Sequence, residues 1–238
     1  MKTKITCVMK RMTYLPAFLF ALTILLSSTG NLQAQDEESE SPISIGADLV
    51  SRYVWRGTDF GASPSIQPYI EASAWNFTLG AWGAYTINRF DGQEMDLYLN
   101  YNIMDIVSVG VVDYFFPAEL TGYKYFDYST DFQHILEATA TFTGLEDIPL
   151  TATVGVNMIN DPNNSFYVEL GYGFSIFDLF LGAGNGIYTT DQNFNVVNLG
   201  ITASKEIPVT DRYSIPISAS LITNPEAQKV YLVFGISF

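Results

Sequence analysis

The chain closes on Lys229-Val230-Tyr231-Leu232-Val233-Phe234-Gly235-Ile236-Ser237-Phe238, and this stretch decides the fold. Val230, Leu232, Phe234, Ile236 and Phe238 are spaced by two, so in a strand they share one face. Tyr231, Gly235 and Ser237 between them are small or polar-tipped, and Val233 is the exception. A strand this apolar is a poor edge for a water-soluble sheet, because its unpaired backbone groups invite edge-to-edge association. As the closing strand of a transmembrane barrel it is sound: lipid covers the apolar face and closure leaves no edge. The competing reading is the last strand of a soluble sandwich.

Upstream the same alternation recurs. Ile43 to Arg56 places Ile43, Ile45, Ala47, Leu49, Tyr53 and Trp55 on one face and Ser44, Asp48, Arg52 and Arg56 on the other. Ser65–Trp75, Phe77–Thr86, Glu94–Ile103 and Ile106–Phe115 follow. After a long polar and aromatic stretch, Pro117 to Asp131, come Gln133–Phe142, Leu150–Ile159, Ser165–Phe174, Phe177–Ile187, Phe194–Ser204 and Tyr213–Leu221. With the closing strand the total is about twelve, and single-chain bacterial barrels use even numbers. Connections after the even segments are mostly short: around Asn76, Met104-Asp105, Gly144 to Ile148, Ser175-Ile176 and Glu206 to Arg212. Those after the odd segments are mostly longer and more polar. A barrel with both termini in the periplasm needs this odd–even rhythm, and a sandwich does not. The sequence therefore predicts an all-β protein, an up-and-down antiparallel transmembrane barrel spanning residues 43–238.

Bulk composition agrees. Of 238 residues, 48% are hydrophobic and 15% aromatic, and mean hydropathy is +0.16. Past residue 35 no apolar run approaches the roughly 20 residues a spanning helix needs. Residues 1–34 read as a secretory signal, with basic Lys2, Lys4, Lys10 and Arg11, an apolar Leu15–Leu26 core and cleavage after Ala34. Residues 35–42 read as a disordered acidic segment. Removing the leader's four bases takes the formal charge from −14 to −18, with seven Lys and Arg against 25 Asp and Glu. That surface excludes nucleic acid as a partner. The one cysteine, Cys7, lies in the leader and precedes the apolar run, so neither a disulfide nor a thiolate metal site is expected.

The ending Phe234, Ile236 and Phe238 looks like the C-terminal signal read by the barrel-assembly machinery. At the other end, Ser51-Arg52-Tyr53-Val54-Trp55-Arg56-Gly57, with Pro64-Ser65-Ile66-Gln67 and Glu71, resembles the opening hairpin of the TorF-type outer-membrane porin family. That resemblance implies a Gram-negative outer-membrane barrel, assigned as a porin by architecture rather than by an established substrate. It carries over no catalytic residue, and the extended Pro117–Asp131 stretch departs from it.

If the alternation holds, the lumen receives Asp48, Arg52, Arg56, Glu71, Asp96, Glu137, Glu169 and Asp178. A charge on the lipid face costs roughly 2–4 kcal/mol near the midplane for Arg or Lys, so their common parity is informative. These eight are expected to form an ion-pair network across the lumen. It would serve either as a constriction that selects solutes or as a plug helped by inward Trp82, Tyr98, Tyr167 and Phe180. Six acids against two arginines favour cations.

Catalysis has little to build on. The single histidine, His134, lies on the apolar parity of its strand and reads as an ordinary surface residue; a Ser–His pair is not evident. Asp48 with Glu71, or Glu137 with Glu169, could pair as carboxylates. Asp161-Pro162-Asn163-Asn164 suits a turn better than a Ca²⁺ site. Tyr123-Lys124-Tyr125-Phe126-Asp127-Tyr128 reads either as a carbohydrate or partner contact or as a lid on the barrel mouth. The expectation is a porin-like channel for small solutes or ions in the outer membrane, with a closed structural or surface-binding barrel as the alternative and a barrel enzyme third. No cofactor, metal or catalytic residue is expected. The expected partners are outer-membrane lipid, the assembly machinery and the permeating solutes.

Overall fold

A computed structural model describes residues 41–88, 92–117, 124–129, 133–145, 147–211 and 213–238. The expected leader, most of the acidic segment after it and Tyr123 lie outside the described residues. The strands are β1 (Ile43–Val50), β2 (Val54–Trp55), β3 (Thr58–Asp59), β4 (Ser65–Ala74), β5 (Phe77–Thr86), β6 (Gln93–Met104) and β7 (Val107–Phe115). They continue as β8 (His134–Phe142), β9 (Leu150–Ile159), β10 (Phe166–Gly173), β11 (Asp178–Gly184), β12 (Asn195–Thr210), β13 (Tyr213–Asn224) and β14 (Lys229–Ser237). A 3₁₀ turn, Gly186–Tyr188, follows β11.

Twelve of these strands form one closed barrel, in which every neighbour is antiparallel and follows the next along the chain; β2 and β3 pair separately. The last strand closes it. Asp48, Leu49 and Val50 of β1 face Ser237, Ile236 and Gly235 of β14. Ala47 and Phe238 also exchange backbone bonds, at 3.3 and 3.0 Å. Closure thus pairs the first barrel strand with the last, and the sheet has no free end strand.

The outer face is apolar. Val230, Leu232, Phe234 and Phe238 are exposed, and so are outward residues on the other walls, among them Ile45, Ile70, Leu99, Val111, Leu170, Leu181 and Leu221. A water-soluble monomer does not present so continuous an apolar band, and lipid is the medium that accepts it. Tyr101, Tyr172, Phe174 and Tyr213 are exposed towards the short turns, as is Trp75 at the tip of the β4–β5 turn. Amphipathic rings of this kind settle at a membrane–water interface. The barrel is a transmembrane one. Among the described residues no helix is long and apolar enough to cross a membrane.

The short connections are tight. Trp75 and Asn76 both have positive φ, 50° and 67°, the two-residue turn whose twist matches that of the strands it joins. Two expectations need correcting. β12 and β13 run on to Thr210 and back from Tyr213, so Glu206 to Thr210 is strand rather than turn. Beyond Thr202 on β12 and Ile217 on β13 the neighbouring strands give out, and the hairpin continues alone.

The second correction matters more. β1 stops at Val50, not Arg56. Arg56 and Gly57 have φ of 48° and 76°, two left-handed residues in succession that no continuous strand contains. They turn the chain between β2 and β3, and the hairpin they form folds into the lumen, while Ser51 still bonds Phe234 on the wall. Tyr53 and Trp55, expected towards lipid by parity, therefore lie inside: Tyr53 is buried and its ring sits 5.4 Å from that of inward Trp82. The buried apolar groups gather at this level, with Tyr53, Tyr114, Ile135, Tyr167, Tyr188, Val197 and Ile222.

Candidate functional site

The inner hairpin, residues 51–64, is fastened to the wall on several sides. Asn224 of β13 donates to the Gly57 carbonyl at 3.2 Å. Any Cβ at Gly57 would lie 1.8 Å from the Val197 carbonyl oxygen of β12, so only glycine fits this approach at this φ. Trp55 packs against Tyr114 of β7 at 5.3 Å and Tyr188 at 6.1 Å between ring centroids. Phe60 donates its backbone N–H to Tyr53 at 2.8 Å, which closes the hairpin on itself.

At its tip Arg56 forms a fork with Glu137 of β8: Nη1 to Oε1 at 2.6 Å and Nη2 to Oε2 at 3.0 Å. Arg56 Nη1 also donates to the Tyr188 hydroxyl at 2.5 Å, and the Tyr114 hydroxyl donates to Glu137 at 2.7 Å. The guanidinium lies 4.3 Å from the Trp55 ring centroid and 4.4 Å from that of Tyr167. Both charged side chains are buried, with relative exposures of 9% and 0%. Planar arginine suits such a site because it can take a carboxylate in two parallel bonds while its faces stack on rings. Such a pair keeps its place because the loss of either partner would strand a buried charge.

The other expected lumen residues are placed as follows. Arg52 pairs with Asp59 inside the hairpin itself. Glu71 accepts from the Tyr98 hydroxyl at 2.6 Å. Glu169 accepts from Tyr167 and from Asn198, the latter at 2.8 Å. Asp96 is buried beside Trp82 in register, and its Oδ1 has no hydrogen-bond partner. Asp48 faces Gln67 across the β1–β4 pair, and Asp178 sits exposed at the short-turn end of β11. Among the eight, only Arg56 and Glu137 form a salt bridge with each other. Sequence reading missed Asp59 and Tyr188, which lie off the barrel strands where parity does not reach, and Tyr114 and the buried Glu94, which parity puts on the inner face of β7 and β6 without telling which inward groups share their level. The signal that was available is Arg56-Gly57, a residue pair at which a strand can turn.

His134 overturns the surface reading. It is fully buried, 2.9 Å from Asp113 through Nδ1 and stacked on Tyr128 at 4.1 Å between centroids. Asp113 and His134 lie on outward parity, opposite Leu97 and Phe115 respectively. Tyr125 and Tyr128 donate to Asp113, and Phe115 packs edge-on to Tyr125. Residues 124–129 thus fold onto the outer wall rather than across the mouth. Burial pushes the Tyr125 hydroxyl up to about 12, helped by neighbouring Asp113. Asp161 behaves as turn chemistry predicts: it accepts from the Asn163 and Ser165 backbone at 3.0 and 2.9 Å and from Asn157 at 3.0 Å. Burial works the other way, yet these bonds hold its carboxyl below the usual range.

Among the described residues no group of three or more His, Cys, Asp or Glu could hold a metal ion. The inner hairpin, Glu137 and Tyr188 lie within the matched part of a family pattern. Residues 34–220 match the family described as bacterial protein of unknown function (Gcw_chp). The chain belongs to that family. None of the curated proteins matches it. Among solved structures it is similar to a triple mutant of the Rhodopseudomonas blastica porin at 11% identity, covering 84% of this chain and 74% of that one, with a TM-score of 0.41. A double mutant of the same porin gives 10% identity, the same coverage and a TM-score of 0.43.

Proposed function

We propose that this protein is a porin-like channel of a Gram-negative outer membrane, through which small solutes or ions pass passively around an internal constriction made by residues 51–64. The observation that carries the reading is the Arg56–Glu137 fork, which fixes a hairpin inside a closed barrel. Towards the short turns, the lumen-facing positions instead carry small polar residues such as Thr78, Thr139, Thr153 and Ser218. The resemblance of the first hairpin to the TorF-type family points the same way. Export by the 1–34 leader and insertion through the Phe234, Ile236 and Phe238 ending complete the reading, with lipid and the assembly machinery as partners.

Glu137 neutralises Arg56 and Asp59 neutralises Arg52, so Asp48, Glu71, Glu169 and Asp178, none of them buried, set the sign of the lumen. Rings of carboxylates favour cations. Conductance of the purified, detergent-folded protein across a planar bilayer under a KCl gradient tests both claims. Discrete steps with a K⁺-leaning reversal potential are expected, and joint replacement of Arg52 and Arg56 by Ala should change step size or selectivity. Silence from protein shown to be folded would reject the channel and leave a closed structural barrel, which the dense packing of the inner hairpin favours.

A further inference from the structure

Between the inner hairpin and the wall lies a cavity of about 290 Å³, lined from the hairpin by Trp55, Thr58 and Phe60 and from the wall by Tyr114, Ile135 and Asn157. We infer that this cavity binds a small, neutral, ring-shaped molecule carrying one O–H or N–H donor, of the phenol or indole class. The inference rests on the barrel and its inner hairpin and is independent of whether the pore conducts.

Size comes first. The volume lies at the lower end for ligand pockets, enough for one ring or a fused pair and too small for a chain of sugars or a peptide. The wall comes second. Trp55, Phe60, Tyr114, Phe116 and Tyr188 present aromatic rings, and Ile135 and Ile187 add aliphatic surface. Such walls take the faces and edges of another ring. Asn157 and Thr58 are the polar side chains besides the two tyrosine hydroxyls, and both of those hydroxyls already point at the Arg56–Glu137 fork. A free sugar would bury hydroxyls with nothing to bond, which disfavours it.

Charge comes third. Arg56 already occupies the face of Trp55, so a second cation in this aromatic box would meet a fixed positive charge. An anion finds no free cation either, because the fork with Glu137 consumes the guanidinium. Neutral ligands remain.

The polar handle is Asn157. Its residue is 1% exposed, its Nδ2 is spent on Asp161, and its Oδ1 is buried without a partner. A buried acceptor left unpaired is unusual in a folded protein. A donor on the ligand would satisfy it, and this gives the site its preference for a hydroxyl or an indole N–H over a hydrocarbon.

The test uses 4-fluorophenol as probe, followed by ¹⁹F NMR on the full chain folded in detergent, with 4-fluorotoluene as the partner lacking a donor. Thr58→Trp fills the cavity from an exposed position on the inner hairpin, and the altered gel mobility of the unheated barrel checks its folding. Saturable 4-fluorophenol binding is expected, about tenfold weaker for 4-fluorotoluene and abolished in folded Thr58→Trp. Probe dissolved in the micelle is unaffected by the substitution, so equal signals from both proteins would overturn the site. Absence of saturable binding to the folded native chain would overturn it as well. Equal affinity for the two probes would overturn the role of Asn157. A protein that binds the probe yet conducts nothing would reject the channel while upholding this site.

Discussion

Towards the long loops the lumen is filled with Tyr53, Trp55, Tyr114, Tyr167 and Tyr188 around one buried ion pair. Towards the short turns the inward positions include Ser73, Thr78, Asn100, Thr139, Thr141, Thr153, Thr202, Ser218 and Ser220, none of them buried, beside Glu71, Asp178 and Phe180. Ser73 with Thr78 and Thr202 with Ser220 bond across strands at 2.9 and 2.8 Å, which satisfies the wall locally. The first half is densely packed, so a lost partner there strands a buried group; the second leaves its small polar side chains accessible and needs little from them. One barrel thus joins a packed core to a half lined by small polar side chains. Substitutions should therefore matter by level in the lumen rather than by residue type.

The largest effect belongs to the ion pair. Glu137→Ala leaves the Arg56 charge buried and unpaired and should cost about 3–5 kcal/mol, measured by urea unfolding in lipid vesicles. Replacing both Arg56 and Glu137 by Leu should recover most of it; a double variant as weak as the single would show that the pair itself supplies the stability. Next is Gly57→Ala, which forces a side chain into left-handed backbone and against the Val197 carbonyl. A loss of about 1–3 kcal/mol from the backbone alone is expected, with a changed conductance step as the hairpin shifts. An unchanged step and stability would mean that the hairpin is not held where it lies.

In the half lined by small polar side chains, Thr202→Ala should stay within about 0.5 kcal/mol of the native barrel. Thr202→Trp should reduce conductance at nearly constant stability, and a large loss of stability there would erase the contrast between the halves. The smallest effect concerns Asp161 at the β9–β10 turn. Its carboxyl is held below its unfolded value, so its contribution is full above about pH 4, where the unfolded group is ionised, and is lost as pH falls through the folded value. Asp161→Asn should flatten that part of the stability profile; an unchanged acid limb would discount the turn.

How much of this was legible follows from where each residue sits. On β5 to β11 the period-two alternation placed Trp82, Tyr98, Asp96, Glu137, Glu169 and Tyr167 inward, because a strand with lipid on one face tolerates no slip of a single residue. The rule failed at Arg52 to Trp55, where the chain had already left the wall, and it had no means of detecting that departure beyond the Arg56-Gly57 pair. It failed differently at His134. Outward parity was read correctly there, but exposure was inferred from it, and residues 124–129 cover that part of the wall.

The sequence by itself determined the barrel, the strand number, the closing role of residues 229–238 and the inward parity of most lumen charges, since these depend on local periodicity and on lipid as solvent. Only the tertiary structure decided that Arg56 meets Glu137 across 81 positions of chain, that Trp55 and Phe60 enclose a cavity with Asn157, and that Asp113 is buried with His134. Those pairings depend on which inward side chains share a level once the sheet closes. That level is set by the stagger of all twelve strands together, a quantity no single stretch of sequence contains.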